Sequence, residues 1–150
     1  MESSILNAVG VWFYSRNTNR FLYLLRNDPR HPYHWGLAGG KVEKNETLLA
    51  TIDRECCEEL GSMPYCTHLV PIEKFTNGNF CFHTFFACVP DEFHPVLNHE
   101  HIGYAWIESG VWPKPMHPGL WNTVNFDVVQ HKLEIIMSRL DVIGVQQPLQ

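Results

Sequence analysis

The sequence lacks the features that mark zinc proteins, membrane proteins, secreted proteins and general nucleic-acid binders. Its 5 cysteines form no CxxC pair and no Cys/His spacing typical of a zinc site. No apolar run approaches the roughly 20 residues that span a bilayer, and the N-terminus has no basic segment ahead of an apolar one, as a secretory signal would. Basic residues are few: 11 Lys and Arg stand against 16 Asp and Glu, and the net charge of -5 disfavours general binding to nucleic acid.

We therefore expect a cytoplasmic protein with reduced thiols, no membrane contact and no general nucleic-acid partner. The 150 residues are 45% hydrophobic and 18% charged, which is a globular composition, and this length allows a hydrophobic core without disulfide support. Neither internal repeats nor low-complexity linkers divide the chain. The sequence thus predicts a single domain over residues 1–150.

Apolar segments separated by turn residues predict five main strands. Hairpins are indicated across SRNTN and across TNGN, where Asn77-Gly78 is a strong turn signal. The segment NDPRHPYHWGLAGG is punctuated by Pro and Gly, so we expect a loop with a short extended piece at Trp35–Leu37. The predicted strands are ILNAVGVWFYS, RFLYLLR, HLVPIEKF, FCFHTFFACV and HIGYAWIE.

Two main helices are also predicted. The first runs from Thr47 to Leu60, with Asn45 or Thr47 as the N-cap and Gly61 as the C-terminal stop. SGVWPKPMHPG is expected to be irregular because of its three prolines. The second helix, 121–140, fits the apolar spacing of Val124, Val128, Val129, Leu133, Ile136 and Leu140. Helices and strands together indicate an α/β or α+β chain with one mixed sheet.

The first helix carries three glutamates on one side. At about 100° per residue, Glu55, Glu58 and Glu59 fall within one sector of roughly 100°. This sector adjoins an apolar stripe, so we expect the carboxylates to lie at the edge of the core. The stripe consists of Leu49, Ile52, Cys56 and Leu60.

Three neighbouring carboxylates repel one another. At an effective dielectric constant of about 20 and a separation of about 5 Å, Coulomb's law gives roughly 3 kcal/mol per pair, so a positive partner is expected. Arg54 can pair with Glu58 but cannot neutralise all three glutamates. A hard divalent cation can, and oxygen ligands favour Mg²⁺, Mn²⁺ or Ca²⁺ over zinc. The alternative is a solvated acidic helix face.

The segment from Gly40 to Ser62, GKVEKNETLLATIDRECCEELGS, decides between these alternatives. It resembles the signature of the Nudix hydrolase family: Gly, five residues, Glu, seven residues, Arg-Glu, an aliphatic residue, one residue, Glu-Glu, one residue, Gly and an aliphatic residue. Every glycine and charged position matches. Cys56 takes the first aliphatic position, Ser62 departs from the second, and Ala38 replaces the proline often found before the Gly-Gly pair.

The resemblance implies a Nudix-type α/β/α sandwich with a mixed β-sheet between helices. It also implies a Mg²⁺-dependent hydrolase, for which Mn²⁺ can substitute, that cleaves a pyrophosphate bond in a nucleoside diphosphate derivative by water attack on phosphorus. Candidate substrates are ADP-ribose, dinucleoside polyphosphates, FAD-like dinucleotides, nucleotide sugars and modified nucleoside triphosphates. The small chain resembles microbial or phage members, and a homodimer stays an open option.

Site residues follow from the same resemblance. Glu55, Glu58 and Glu59 would hold the metal, helped by the Gly39 carbonyl. Glu46 would pair with Arg54 or support the metal ligands, and Arg54 would orient carboxylates. Glu100, in NHEHIGYAWI, is expected to be a further ligand or the general base, a role for which Glu55 competes. An ordinary loop acid is the alternative for Glu100, and Glu108 is the reserve candidate.

Substrate contacts are less constrained. Arg26 and Lys41 are predicted to bind phosphate oxygens, with plain surface charge as the alternative. Among aromatic residues, Trp12, Tyr14 and Tyr33 either stack on a base or belong to the core. His99 and His101 are expected at the surface or behind the metal ligands and not in direct contact with the ion. His117 and Trp112 are candidates to project from a specificity loop.

Two rival functions have different consequences. A Nudix-fold sensor binds a nucleotide without cleaving it, but such proteins often lose the glutamates that remain in this chain. An RNA 5′-end pyrophosphohydrolase needs a basic surface, and the net charge of -5 speaks against one, although Arg16, Arg20 and Arg30 could form a local patch.

Overall fold

The computed structural model describes residues 4–143. Its strands form one mixed sheet, and helices cover both faces of that sheet. The strands are β1 (Leu6–Ser15), β2 (Arg20–Arg26), β3 (Trp35–Gly36), β4 (Ala38–Lys41), β5 (His68–Asn77), β6 (Phe80–Val89) and β7 (His101–Glu108). The helices are α1 (Leu48–Leu60), α2 (Pro118–Val124), α3 (Asp127–Ser138) and α4 (Leu140–Ile143).

Strand β1 organises the sheet. Along one edge it pairs in parallel with β6, from Leu6 opposite Phe80 to Ser15 opposite Val89. Along its other edge it pairs first with β4 and then with β2, both antiparallel. Strand β2 also pairs with β3 and with β7, both antiparallel, and β5 forms an antiparallel hairpin with β6. The two predicted hairpins and all five predicted main strands are confirmed.

The Pro- and Gly-rich segment before α1 is more ordered than the sequence predicts. Instead of a loop with one extended piece, it forms β3 and then β4. Strand β4 pairs with β1 so that Gly39 lies opposite Gly10. A Cβ at position 39 would overlap the Val9 carbonyl oxygen and stand 2.9 Å from the Gly10 Cα, so this pairing depends on glycine.

Helix α1 begins and ends where the sequence predicts. The Thr47 hydroxyl accepts a hydrogen bond from the Ala50 N–H at 3.1 Å, and Gly61 is left-handed and donates to the Cys57 carbonyl. One part of the predicted apolar stripe is wrong, because Leu49 is exposed. Thr51 is buried instead, and its hydroxyl donates a hydrogen bond to Glu46 at 2.8 Å.

The predicted continuous helix over 121–140 is also wrong. The chain breaks at Asn125 into α2 and α3, and α2 already begins at Pro118, within the segment expected to be irregular. The Trp121 carbonyl accepts from both the Asn125 N–H, at 3.2 Å, and the Asn125 side chain, at 2.8 Å. The next N–H, of Phe126, donates to the Thr123 carbonyl only three residues back, and the α2 helix ends there. Pro118 suits the first turn of a helix because its missing N–H needs no partner there.

Two apolar layers hold the helices to the sheet. On one face α1 contributes Ile52, Cys56 and Leu60, and on the other face α2 and α3 contribute residues such as Leu120 and Leu133. This arrangement confirms the predicted α/β/α sandwich. Within residues 4–143, no helix combines the length and apolarity required to cross a membrane.

Candidate active site

Carboxylates from two distant parts of the chain meet at one end of the sandwich. Helix α1 provides Glu55 and Glu58, and the loop before β7 provides Glu100. One oxygen atom from each of the three lies within 4.8 Å of the others. The Asn98 side chain holds the loop, because its Oδ1 accepts from the Glu100 N–H at 3.0 Å and its Nδ2 donates to Glu100 Oε2 at 3.2 Å.

Glu59 lies in the interior beside this cluster and is only 1% exposed. Its Oε1 accepts a long hydrogen bond of 3.4 Å from the Gly39 N–H, and its Oε2 has no hydrogen-bond partner among the described residues. Burial raises the pKa of Glu59, and the neighbouring carboxylates of Glu55 and Glu100 act in the same direction.

His101 does not compensate for the charge of Glu59. Its Nδ1 lies 3.7 Å from Glu59 Oε1, but burial lowers the pKa of His101 to about 4, so the imidazole is neutral at neutral pH. Of the two positions expected for His101, at the surface or behind the carboxylates, the structure shows the second, because His101 is buried beside Glu59.

This set of atoms fits a hard divalent cation. All the converging groups are carboxylate oxygens, which suit Mg²⁺, Mn²⁺ or Ca²⁺ and not zinc. The buried and unpaired Oε2 of Glu59 is an additional sign, because an unsatisfied buried carboxylate is costly unless a cation or a proton accompanies it. The Gly39 N–H points to Glu59, and the Gly39 carbonyl stays a predicted ligand.

Arg54 joins the helix to the loop before it. Its guanidinium binds Glu46 with two hydrogen bonds of 2.7 and 3.0 Å, donates to Glu55 Oε1 at 2.9 Å and also donates to the Lys41 carbonyl at 3.0 Å. Arg54 lowers the pKa of Glu46 to about 2, helped by the Glu43 N–H. Of the two roles predicted for Glu46, the structure shows the pairing with Arg54, and Arg54 in turn restrains Glu55.

A cavity of about 650 Å³ extends from the acidic cluster across the sheet. This volume is in the range of small-molecule sites. At the acidic end it is lined by Gly39, Glu59 and Glu100. At the far end it is lined by β5, β6 and α2, through Glu73, Phe75, Phe80, Phe82, Thr84, Asn122 and Thr123.

The two predicted phosphate-binding cations differ in position. Arg26 lines the cavity, although its Nε already donates to Asp28 at 2.6 Å. Lys41 is exposed and does not line this cavity. It is the last residue of β4, and the residue before it, Gly40, is the one that lies beside the Glu55 carboxylate. The prediction for Lys41 therefore finds no support in the geometry.

The aromatic residues considered for base stacking belong elsewhere. Trp12 and Tyr14 are core residues, as the core alternative predicts, and Tyr33 is exposed outside the cavity lining. His117 does line the cavity, whereas Trp112 packs against the core. The sequence reasoning missed Glu73, Phe75, Phe80 and Phe82, although alternation along the TNGN hairpin places all four on one face of the sheet.

A mixed sheet between two helical layers, with a cluster of carboxylates beside a cavity of small-molecule size, defines the class of this protein as an α/β sandwich with an acidic candidate site. This chain belongs to the Nudix family: the model of the NUDIX domain matches residues 5–124. Divalent metal is the general requirement of that family.

The similar proteins include two curated hydrolases. The chain is 29% identical to the nucleoside triphosphatase NudI of Klebsiella pneumoniae, in a match covering 52% of this chain and 64% of the relative. It is 30% identical to the dihydroneopterin triphosphate diphosphatase of Haemophilus influenzae, covering 68% of this chain and 73% of the relative. The crystal structure of a MutT NUDIX hydrolase from Burkholderia pseudomallei has the same fold, with a TM-score of 0.65 and 18% identity over 85% of this chain and 98% of that one.

Proposed function

We propose that this protein is a Mg²⁺-dependent pyrophosphohydrolase that cleaves a phosphoanhydride bond of a nucleoside polyphosphate or nucleoside diphosphate derivative by water attack on phosphorus. The observation that carries the proposal is the convergence of Glu55, Glu58 and Glu100 within 4.8 Å, with Glu100 lining the 650 Å³ cavity. The relatives favour triphosphates: one is a nucleoside triphosphatase and the other acts on dihydroneopterin triphosphate.

The proposal gives each residue a distinct task. Glu55, Glu58, Glu59, Glu100 and the Gly39 carbonyl hold Mg²⁺, for which Mn²⁺ can substitute. When bound, the ion supplies positive charge that offsets the charge of the phosphate oxygens. Arg54 and Glu46 do not touch the substrate and instead fix the position of Glu55.

Two carboxylates are candidates for the general base. Glu100 is exposed on a loop and can exchange a proton with water, whereas Glu55 is buried and already accepts from Arg54. Arg26, at the cavity wall, binds a phosphate oxygen when the substrate replaces Asp28 as its partner. Cytoplasmic location, a single domain over residues 1–150 and a homodimer stay predictions from the sequence.

The test is a panel of nucleoside triphosphates, dihydroneopterin triphosphate and nucleoside diphosphate derivatives, incubated with Mg²⁺ in ¹⁸O-labelled water. We expect a nucleoside monophosphate or its pterin analogue as a product, with the label on the attacked phosphorus. Comparison of the labelled and unlabelled products identifies the bond that breaks. If no member of the panel is hydrolysed with Mg²⁺ or Mn²⁺ although the protein is folded, the proposal fails.

Glu58→Gln removes one of the proposed metal ligands. Its matched control is Glu134→Gln, which makes the same chemical change on the exposed face of α3 outside the cavity lining. This variant should retain the wild-type rate. A loss of activity in Glu134→Gln equal to that in Glu58→Gln would indicate a general effect of removing charge.

A further inference from the structure

The end of the cavity opposite the carboxylate cluster has a defined chemical character. Glu73 and Phe75 on β5 share one face of the sheet with Phe80 and Phe82 on β6, and Phe75 stands directly opposite Phe82. All four side chains line the cavity. The three phenylalanines form a surface for an aromatic ring, and Glu73 stands at its edge. We call these three residues the phenylalanine wall.

The Phe82 ring of the phenylalanine wall packs over Gly10, where the absence of a side chain leaves room for it. A Cβ at position 10 would stand 2.9 Å from Cζ and 3.0 Å from Cε1 of Phe82, so the ring lies directly over the glycine. Phe82 is only half-buried and Phe75 is 48% exposed, and the rings of Phe80 and Phe82 are 6.3 Å apart. Exposed aromatic faces that line a cavity suit a planar ligand that stacks.

Glu73 is held in place but keeps unused acceptor capacity. The Thr123 hydroxyl, on α2, donates to Glu73 Oε1 at 2.7 Å. Within residues 4–143, Glu73 takes part in no ion pair. The half-buried side chain of Glu73 lines the cavity, and the bond to Thr123 involves only one of its two carboxylate oxygens.

A carboxylate accepts hydrogen bonds and donates none, which restricts the ring it can recognise. Guanine is a 2-amino-6-oxopurine and pterins are 2-amino-4-oxopteridines, and both share the same aminopyrimidinone ring. We call its edge the 2-amino-4-oxo edge, in pyrimidine numbering; there a ring N–H and an amino group lie side by side and can donate to one carboxylate together. Adenine presents one amino group beside a ring nitrogen, whose lone pair would face a carboxylate oxygen. Asn122, at the same end of the cavity, offers an amide N–H to the 4-oxo group.

We propose that Glu73, positioned by Thr123, selects substrates whose ring carries this 2-amino-4-oxo edge, while the ring stacks on the phenylalanine wall. This proposal rests on the proposed function, since it names the substrate class of the same cavity. The triphosphate or diphosphate of such a ligand then extends toward Arg26 and the carboxylate cluster.

Binding without metal tests the proposal independently of hydrolysis. Calorimetric titration of the wild-type protein with GMP, IMP and AMP in EDTA should rank GMP first, because IMP lacks the amino group and AMP also lacks the ring N–H. We expect GMP to bind about 10- to 100-fold more tightly than AMP, with IMP between them. Equal affinities, or a preference for AMP, would overturn the proposal even if the protein hydrolyses nucleotides.

Glu73→Gln should shift the binding preference from GMP toward AMP, which a purely structural role of Glu73 would not do. Its amide both donates and accepts, which matches adenine better than the 2-amino-4-oxo edge. The ratio of GMP to AMP affinity should therefore fall by at least about tenfold. Thr123→Val should lower the same ratio by a smaller factor because the carboxylate is no longer held. Glu134→Gln should leave the ratio unchanged, and an unchanged ratio in Glu73→Gln would count against the proposal.

Rates of hydrolysis distinguish the two kinds of ligand that carry this edge, guanine nucleotides and pterins. Values of kcat/KM for GTP, dihydroneopterin triphosphate and ATP, measured with Mg²⁺, should place ATP last. A preference for GTP identifies a guanine nucleotide, and a preference for dihydroneopterin triphosphate identifies a pterin, and each supports the role of Glu73. If neither these three nor any nucleoside diphosphate derivative of the panel is hydrolysed but GMP still binds selectively, the proposed function fails while the recognition of the ring stands.

Discussion

The carboxylate of Glu55 occupies the space beside the Cα of Gly40. A Cβ built at position 40 would stand 2.6 Å from the Glu55 Cδ and nearer still to its Oε1. Arg54 holds the same carboxylate from the other side, with a hydrogen bond of 2.9 Å. The position of Glu55 therefore depends on the missing side chain of one residue and on the charge of another.

Gly40→Ala is expected to displace Glu55 and lower turnover by about 100-fold, because a shift of about 1 Å in a reacting group has an effect of this size. The measurement is kcat with Mg²⁺, together with circular dichroism to show that the fold remains. Gly103→Ala is the control, since a Cβ at position 103 would make ordinary contact with Leu25 at 3.8 Å. Equal activity of both variants would contradict the role given to Gly40.

Glu58→Gln should lower kcat by about 100-fold or more while leaving the fold intact, because it removes metal-binding charge and no core packing. The Glu58 side chain is 51% exposed, and the nearest Arg54 nitrogen is 3.7 Å away, so little stability is lost with this surface pair. Mn²⁺ affinity, followed by paramagnetic resonance, should weaken in parallel. Wild-type turnover and Mn²⁺ affinity in this variant would reject the metal assignment.

Glu100→Gln and Glu55→Gln should differ in their pH profiles. If Glu100 is the base, Glu100→Gln removes the acidic limb of the kcat profile, and Glu55→Gln keeps that limb at a lower rate. The reverse pattern assigns the base to Glu55. Measurements from about pH 5 to pH 9 at saturating metal separate loss of a base from loss of a ligand, since a weakened ligand is compensated by more metal.

Glu59→Gln should stabilise the metal-free protein at neutral and higher pH. The pKa of Glu59 is raised in the folded state, mainly by burial, so above about pH 4.3 the unfolded chain releases a proton that the folded chain keeps. The wild-type free energy of unfolding therefore falls as the pH rises toward the raised pKa. Urea unfolding in EDTA should show Glu59→Gln more stable by about 2 kcal/mol at pH 8.

The difference should shrink toward about pH 4, where Glu59 is protonated in both states. Added Mn²⁺ should reverse the order at neutral pH, because only the wild type gains the charge of Glu59 as a ligand. A constant difference between the two proteins at all pH values would indicate a packing effect instead of a titrating carboxylate.

The sequence predicts those parts of the fold and site that depend on short-range patterns. Thr47 and Gly61 delimit α1 through bonds to residues within four positions, so its ends were predictable. The pairing of Arg54 with Glu46 lies within the family motif and was among the stated alternatives. Asn77-Gly78 likewise predicts the β5–β6 hairpin, because turn chemistry is local.

Features set by long-range packing were harder to predict. The apolar spacing continues on both sides of Asn125 and predicts one helix, whereas in the structure the Phe126 N–H donates to the Thr123 carbonyl and two helices form. Burial of His101 depends on β7 pairing with β2, many residues away. Alternation along the β5–β6 hairpin gives the face of Glu73, but its contact with Thr123, on which its proposed role depends, appears only in three dimensions.

The loop before β7 places Glu100 beside a helix that ends at Leu60, and β7 joins the sheet through β2. Every glutamate of the family motif is therefore synthesised well before Glu100. A growing polypeptide with a complete α1 still has an incomplete carboxylate cluster until β7 has docked. Because the proposed function assigns Glu100 to the metal or to the general base, activity on that proposal has to await the docking of this strand.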